Sequence, residues 1–317
     1  MRILLVKTSS LGDVIHNLPV ASDIRRRLPD AVIDWVVEES FADIPRLHPA
    51  ISKVIPVAVR RWRKALFSAG TWRELNAYSR LAGVDFYDAI IDTQGLLKSA
   101  LLAGRAKGPK FGHAADSARE PIAARFYDQQ FSVPRQQNAV LRNRQLVAAA
   151  LGYALDDLPL DYGIGAPPLS TDWLPQPYAV LLTATSRADK EWPEERWLAL
   201  GAALNAAGLV CVLPGGSATE RARAERLAHG MAQGVAAPPM RITELAGLMQ
   251  GARIVVGVDT GLVHLAAALE RPTIALYCGS DPTLTGVLGT RDFLNLGTPG
   301  TPPAADEVVA AAVKLLD

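Results

Sequence analysis

The sequence predicts an α/β protein of two doubly wound, Rossmann-like halves, and three observations carry that expectation. Short apolar runs alternate with helical patterns along the chain, a proline-rich stretch breaks them at residues 166–177, and one strand, small-residue loop, helix junction stands out in each half. The expected organisation is a first domain over 1–165, a linker over 166–177 and a second domain over 178–317. With 317 residues, 49% of them hydrophobic, the chain holds apolar material for two cores.

In the first half, short apolar runs predict strands at 3–6, 32–37, 53–57 and 89–92, and helical periodicity covers 14–27, 72–82, 96–102 and 139–151. The linker reads APPLSTDWLPQP; proline fixes φ and removes a donor there, so regular structure is disfavoured. A second series then gives strands at 178–182, 209–213, 253–258 and 273–277, with helices starting at Pro193, Thr219, Thr243 and Gly261. The tail 305–316 reads as a closing helix, a candidate to pack back on the first domain.

Composition narrows the class. A balance of 33 Lys and Arg against 32 Asp and Glu gives a net charge of +1, which argues against a general polyanion or nucleic-acid binder. The two cysteines, Cys211 and Cys278, lie in or beside apolar runs and read as buried thiols rather than a disulfide or a metal pair. The chain starts directly with a strand, and no apolar run reaches the ~20 residues that span a bilayer, so the expected location is the cytoplasm.

Most of the chemistry sits in ARIVVGVDTGLVHLAAAL at 252–269, where Asp259, Thr260 and Gly261 join a strand to a helix. The first amides of a helix lack internal partners and its dipole makes that end positive, so a phosphate is stabilised there without a metal. Gly261 lets a ligand approach the backbone, and His264 lies one turn further on. The alternative is that Asp259 or Thr260 caps the helix and His264 is a satisfied core histidine. KTSSLGD at 7–13 has the same grammar in the first half; Asp13 is its only acid, either a functional carboxylate or a capping one. Two such loops far apart in sequence suggest two sheets facing across a cleft.

Further candidates follow other strands. Thr185, Ser186 and Lys190 lie in a hydroxyl-rich loop with a cation, suited to a diphosphate. Glu220 follows Gly215 and Gly216, placed to accept from ribose hydroxyls or to serve as a first-turn glutamate. Met240 lines either an adenine pocket or the core. Arg60, Arg61, Arg63 and Lys64, with Lys98 and Arg119, form a basic set suited to an anionic acceptor, and Trp62 within the run suggests packing on a sugar or a lipid surface. No GxGxxG follows Val6 and no GxxxxGK[ST] occurs; zinc spacing and an Asp-x-Asp pair are also missing, so neither cofactor nor metal is implied.

KTSSLGDVIHNLP at 7–19, RRWRK at 60–64, DTQGLLKSA at 92–100, AREP at 118–121, DKEWPEERW at 189–197 and VDTGLVHL at 258–265 together resemble the ADP-heptose:lipopolysaccharide heptosyltransferase family. VDTGLVHL marks the broad family, while RRWRK and AREP are similar to its type I members, which add the first heptose. The resemblance implies a GT-B fold of two Rossmann-like domains, the N-terminal one binding acceptor and the C-terminal one binding ADP-L-glycero-D-manno-heptose. It also implies Kdo2-lipid A as acceptor, met at the inner face of the inner membrane by a monomeric peripheral enzyme. Asp13 matches the family's catalytic base. Thr185, Ser186, Lys190, Glu220, Met240, Asp259, Thr260, Gly261 and His264 match donor positions; Arg60, Arg61, Arg63, Lys64, Lys98 and Arg119 match acceptor positions. Inverting, metal-free transfer is expected. Alternatives are transfer to a later, already heptosylated acceptor, a non-catalytic ADP-sugar binder, and a nucleotide-dependent epimerase or dehydrogenase, which should show the missing glycine fingerprint.

Overall fold

Ile3, Leu4, Leu5 and Val6 carry no polar side-chain atom, and in the computed structural model each is fully buried at the centre of a sheet. A parallel strand covered on both faces has no polar side to present, which is why the strands read as continuous apolar runs rather than alternating ones. The structure describes every residue except Leu66, Ser170 and Asp317. It divides into two units, Met1–Ile164 and Gly165–Asp317.

The first unit contains β1 (Arg2–Val6), β2 (Val32–Glu38), β3 (Ile51–Val57), β4 (Ala89–Asp92), β5 (Lys110–His113) and β6 (Gln129–Phe131), with helices α1 (Leu11–Ile15), α2 (Leu18–Arg27), α3 (Asp43–Arg46), α4 (Val59–Trp62), α5 (Ala69–Gly83), α6 (Leu97–Ala103) and α7 (Ala139–Leu151). Its sheet runs β3-β2-β1-β4-β5-β6, every neighbouring pair parallel. The second unit contains β7 (Tyr178–Leu182), β8 (Val210–Leu213), β9 (Gly234–Ala236), β10 (Ile254–Val258), β11 (Thr273–Leu276) and β12 (Phe293–Leu296), with α8 (Glu194–Ala206), α9 (Ala218–His229), α10 (Ile242–Gly251), α11 (Gly261–Ala268), α12 (Pro282–Thr285) and α13 (Ala305–Leu316). Its order, β12-β11-β10-β7-β8-β9, is again all parallel. Numbered within its own unit, each sheet has the same doubly wound order. That order reverses between β1 and β4 in one unit and between β7 and β10 in the other, so ligand-collecting crevices are expected beyond the carboxyl ends of those strands.

Several expectations change in detail. The helix expected over 14–27 is two helices, α1 and α2, broken at His16–Asn17 because Pro19 lies in the first turn of α2; proline has no N–H to continue the earlier ladder. Strands β5, β6, β9 and β12 were not anticipated: each has only three or four residues, and three of them lie at sheet edges. Residues 166–177 contain no helix or strand among those described and belong to the second unit, with the Leu169 amide donating to the Gly247 carbonyl at 3.0 Å. The closing helix α13 packs on α8 within the second unit, its Val308 and Ala312 buried in one core with Trp192 and Trp197. Both cysteines are free and buried, and burial pushes the Cys211 thiol up to about 12.

Lys7, at the end of β1, is 6% exposed and donates to the Thr93 carbonyl at 2.8 Å and to Asn143 Oδ1 at 3.3 Å, tying β1 to the residue after β4 and to α7. Burial pushes this ammonium down from 10.5 to about 8, partly offset by the charge of Asp13. Between about pH 8 and 10.5 only the unfolded chain still binds that proton, so stability rises with pH across this window wherever Lys7 is present. Comparing denaturation of the wild type and Lys7→Met isolates the effect: the wild type should gain on the variant by roughly 1 kcal/mol per pH unit above pH 8. A gap independent of pH would contradict the desolvated ammonium.

Candidate active site

In the second unit the loops after β7, β8 and β10 line a cavity of about 280 Å³. Thr185, Ser186, Glu220, Met240 and Thr260, all singled out in the sequence, share its wall with Leu182, Pro214, Gly215, Gly216, Pro238, Leu245 and Leu262. Its chemistry is that of a nucleoside pocket: apolar walls from Met240, Leu245 and Leu262, with hydroxyls and a carboxylate at set points.

The charged cluster beside it centres on Asp259. Its Oδ2 accepts from Lys190 Nζ at 2.5 Å and from Ser280 Oγ at 2.5 Å, while His264 Nε2 lies 3.9 Å from Oδ1. Thr185 Oγ1 donates to the Asp259 carbonyl at 3.3 Å, binding the loop after β7 to the end of β10. Burial alone would push the Asp259 carboxyl up; His264, Lys190 and Ser280 together more than reverse this and hold it well below the usual carboxylate range. Lys190 is therefore not a loose cation awaiting a phosphate. It is already paired with a carboxylate that is only 10% exposed.

The start of α11 bears on both readings of VDTG, and His264 is buried. Thr260 is the N-cap residue with extended backbone, yet it makes no side-chain capping bond, and the hydrogen-bonded Asp259 oxygen is committed to Lys190 and Ser280. Uncapped first amides beside a cavity form an electropositive cradle. The contrast with α9 is instructive: Ser217 Oγ accepts from the Glu220 amide at 3.2 Å, and Glu220 Oε2 accepts from the Gly216 and Ser217 amides at 2.9 and 2.8 Å. Glu220 is thus the first-turn glutamate of its alternative reading, closing a capping box with Ser217, and it lines the cavity as well.

In the first unit Asp13 lies in the first turn of α1. Its Oδ2 accepts from the Ser10 amide at 2.8 Å, from Ser10 Oγ at 3.3 Å and from Arg119 Nη1 at 3.2 Å. The capping role is real, but the arginine contact goes beyond it. Burial pushes the Asp13 carboxyl up, and Lys7, Arg119 and the Ser10 amide outweigh this, so it stays ionised below its ordinary range. Gln94 pins the loop before it: Gln94 Oε1 accepts from the Thr8 and Ser9 amides at 2.8 and 3.1 Å. Lys98 Nζ donates to Ser9 Oγ at 2.9 Å, and burial lowers its basicity, with the like charges of Arg60 and Arg63 acting the same way. Arg119 and Lys98 therefore share the electrostatic neighbourhood of Asp13, and Arg60 and Arg63 that of Lys98.

Two residues of RRWRK, Arg61 and Trp62, behave differently from expectation. Arg61 is paired with Glu39 at 3.1 Å and Glu74 at 2.7 Å, which raise its already high basicity, so its charge is already matched. Trp62 is not a surface platform: it is 8% exposed within the core, donating to Glu74 Oε2 at 2.7 Å. Lys64 is exposed with no ion pair among the described residues. Sequence reasoning missed Lys7, Gln94 and Ser280. The last was findable, since Cys278-Gly279-Ser280 repeats the strand, small-residue loop grammar after β11; the other two depend on long-range contacts. Among the described residues no group of three or more His, Cys, Asp or Glu side chains is gathered as metal ligands would be.

Comparison with known proteins bears on this arrangement. Lipopolysaccharide heptosyltransferase 1 of Salmonella typhimurium is 48% identical over 295 residues, 92% of this chain and 93% of its own length. The structure of E. coli heptosyltransferase WaaC with ADP matches with a TM-score of 0.89 at 45% identity, covering 99% of this chain and 98% of that one. The same enzyme with ADP-2-deoxy-2-fluoro heptose matches with a TM-score of 0.86 at 44% identity, over 99% and 98%. The two doubly wound units have the expected GT-B fold. The model of glycosyltransferase family 9, the heptosyltransferases, matches residues 78–307, and this chain belongs to that family.

Proposed function

We propose that this protein transfers L-glycero-D-manno-heptose from ADP-L-glycero-D-manno-heptose to the Kdo of Kdo2-lipid A, in synthesis of the lipopolysaccharide inner core. The observation that carries the donor half is the uncapped start of α11 beside a nucleoside-sized cavity, in a chain closely similar to an enzyme seen with ADP and an ADP-heptose analogue. In this reading the apolar wall around Met240 takes the adenine and Glu220 the ribose. The α11 amides, Thr185, Ser186 and Lys190 take the diphosphate, with His264 at the same mouth.

Transfer proceeds by direct displacement with inversion and without a metal. The attacking Kdo hydroxyl loses its proton to Asp13 as its bond to the anomeric carbon forms, while the bond from that carbon to the diphosphate oxygen breaks and ADP leaves with the electron pair. A carboxylate of low basicity suffices, because the hydroxyl becomes acidic only as it attacks an oxocarbenium-like centre. Negative charge grows on the departing diphosphate, where the α11 amides stabilise it. Asp259 divides Lys190 between itself and that anion, so the cation is held in place before the donor arrives. Arg60, Arg63, Lys98 and Arg119 suit the carboxylates of a Kdo acceptor. The enzyme acts at the inner face of the inner membrane; no helix among the described residues is long and apolar enough to cross it.

Offering ADP-heptose with Kdo2-lipid A, and separately with an already heptosylated core, then weighing the product by mass spectrometry, tests the assignment directly; transfer only to the latter would replace it with the later-acceptor reading. Asp13→Asn retains the capping geometry and should lower kcat by roughly 100-fold or more while ADP affinity stays constant; near-normal turnover removes Asp13 from this role. Lys190→Met removes a cation and leaves the Asp259 carboxylate without its ammonium beside the phosphate, so calorimetry should show ADP binding weakened by at least about tenfold. Because Arg61 is already matched by two glutamates, Arg61→Gln should raise the acceptor KM less than Arg60→Gln or Arg63→Gln, with ADP binding unchanged in all three; equal effects would contradict the pairing.

A further inference from the structure

The aromatic surface of the first unit lies away from Trp62. Phe67 is 101% exposed and Trp72 is 54% exposed. Ser68 is the N-cap of α5, its hydroxyl accepting from the Gly70 amide at 3.2 Å. Phe67 and Trp72 therefore occupy the positions just before the cap and at the fourth helical residue, where two apolar side chains ordinarily close on each other and fix the entry of the chain. Full exposure of Phe67 means that this pair does not close, and its apolar area is left to water.

The support beneath the pair is fixed. Thr71 Oγ1 donates to the Ala65 carbonyl at 2.8 Å, and Trp62 Nε1 to Glu74 Oε2 at 2.7 Å, anchoring the turn after α4 to α5. Arg63 and Lys64 precede the aromatics and Arg73 follows Trp72; all three are exposed, and none enters an ion pair among the described residues. The nearby acid, Glu74, is already taken by Arg61 and Trp62. Two unburied aromatics framed by three unmatched cations are chemically complementary to a bilayer interface, where rings enter the headgroup level and Lys and Arg meet anionic lipid.

We propose that Phe67 and Trp72, framed by Arg63, Lys64 and Arg73, form the surface by which this protein docks on an anionic bilayer. The proposal rests on the reading that the acceptor is carried by a lipid. The contact is peripheral and reversible: two rings supply modest apolar burial and the cations supply an attraction that salt screens.

Flotation with vesicles of phosphatidylcholine containing phosphatidylglycerol, against phosphatidylcholine alone, tests it on the full chain. Binding is expected only with the anionic lipid, falling with added salt. The double variant Phe67→Ser/Trp72→Ser should lose roughly tenfold or more of it, and Arg73→Glu should weaken it further than raised salt does. Phe86→Ser, which removes another exposed aromatic beyond the far end of α5, should bind as the wild type does. Turnover on a lipid-free Kdo acceptor should be unchanged in the double variant. Equal loss in Phe86→Ser, binding that ignores lipid charge, or loss of turnover on the lipid-free acceptor would overturn the proposal. So would a wild-type dimer in gel filtration that the double variant converts to monomer, since a second copy would then be the occupant. Vesicle binding is read without catalysis, so absence of heptose transfer in the wild type would sink the proposed reaction and leave the docking result standing.

Discussion

Strand order in a parallel sheet is the constraint from which the rest follows. All strands of such a sheet end on one side, and where the order reverses the connecting helices diverge to opposite faces and leave a crevice. Both units reverse after their first strand, between β1 and β4 and between β7 and β10. The loops bearing Asp13, Gln94, Thr185 and Asp259 follow those four strands. The chain need not invent a site in either unit; the topology opens one, and short loops of hydroxyls, acids and glycine furnish it.

Helix starts are used in opposite ways within this frame. At α1 and α9 a carboxylate three residues after the cap residue accepts from backbone amides, and the orphan donors are satisfied internally. At α11 the cap residue Thr260 makes no side-chain capping bond and Asp259 Oδ2 is committed to Lys190 and Ser280, so the first amides are left open to an anion. An uncapped start costs helix stability, typically about 1 kcal/mol, in exchange for a fixed patch of positive potential. The Asp259–Lys190–Ser280 cluster is consistent with this: the Asp259 carboxylate is more strongly held by an ammonium and a hydroxyl than it would be by a neutral amide.

Electrostatics in the first unit are similarly biased. Lys7 is buried against neutral acceptors, and Lys98 is partly desolvated, with Glu38 and Asp13 opposing the like charges of Arg60 and Arg63. Neither arrangement favours folding by itself, since a desolvated ammonium wants a carboxylate partner. What they create is a field that keeps Asp13 ionised and attracts anions toward it. Such local strain is the expected signature of a functional region rather than of a structural one.

The β1, β4, β7 and β10 strands and the start of α11 were legible in the sequence because each rests on a local pattern: an apolar run, or a glycine after Asp-Thr. The short strands β5, β6, β9 and β12 were not, since three or four residues acquire strand geometry only from the neighbour they pair with. The site divided the same way. Residue types and loop positions singled out Asp13, Thr185, Glu220 and Asp259 as candidates, whereas the commitment of Lys190 to Asp259, across 69 residues, needed the fold. The cancellation of Arg61 by Glu39 and Glu74, and the exchange of buried Trp62 for exposed Phe67 and Trp72, needed it as well. Sequence alone determined which chemistry each loop carries, because that chemistry is a property of side chains and their spacing. Tertiary structure decided which of those charges remain available, because pairing and desolvation depend on neighbours that chain order does not reveal.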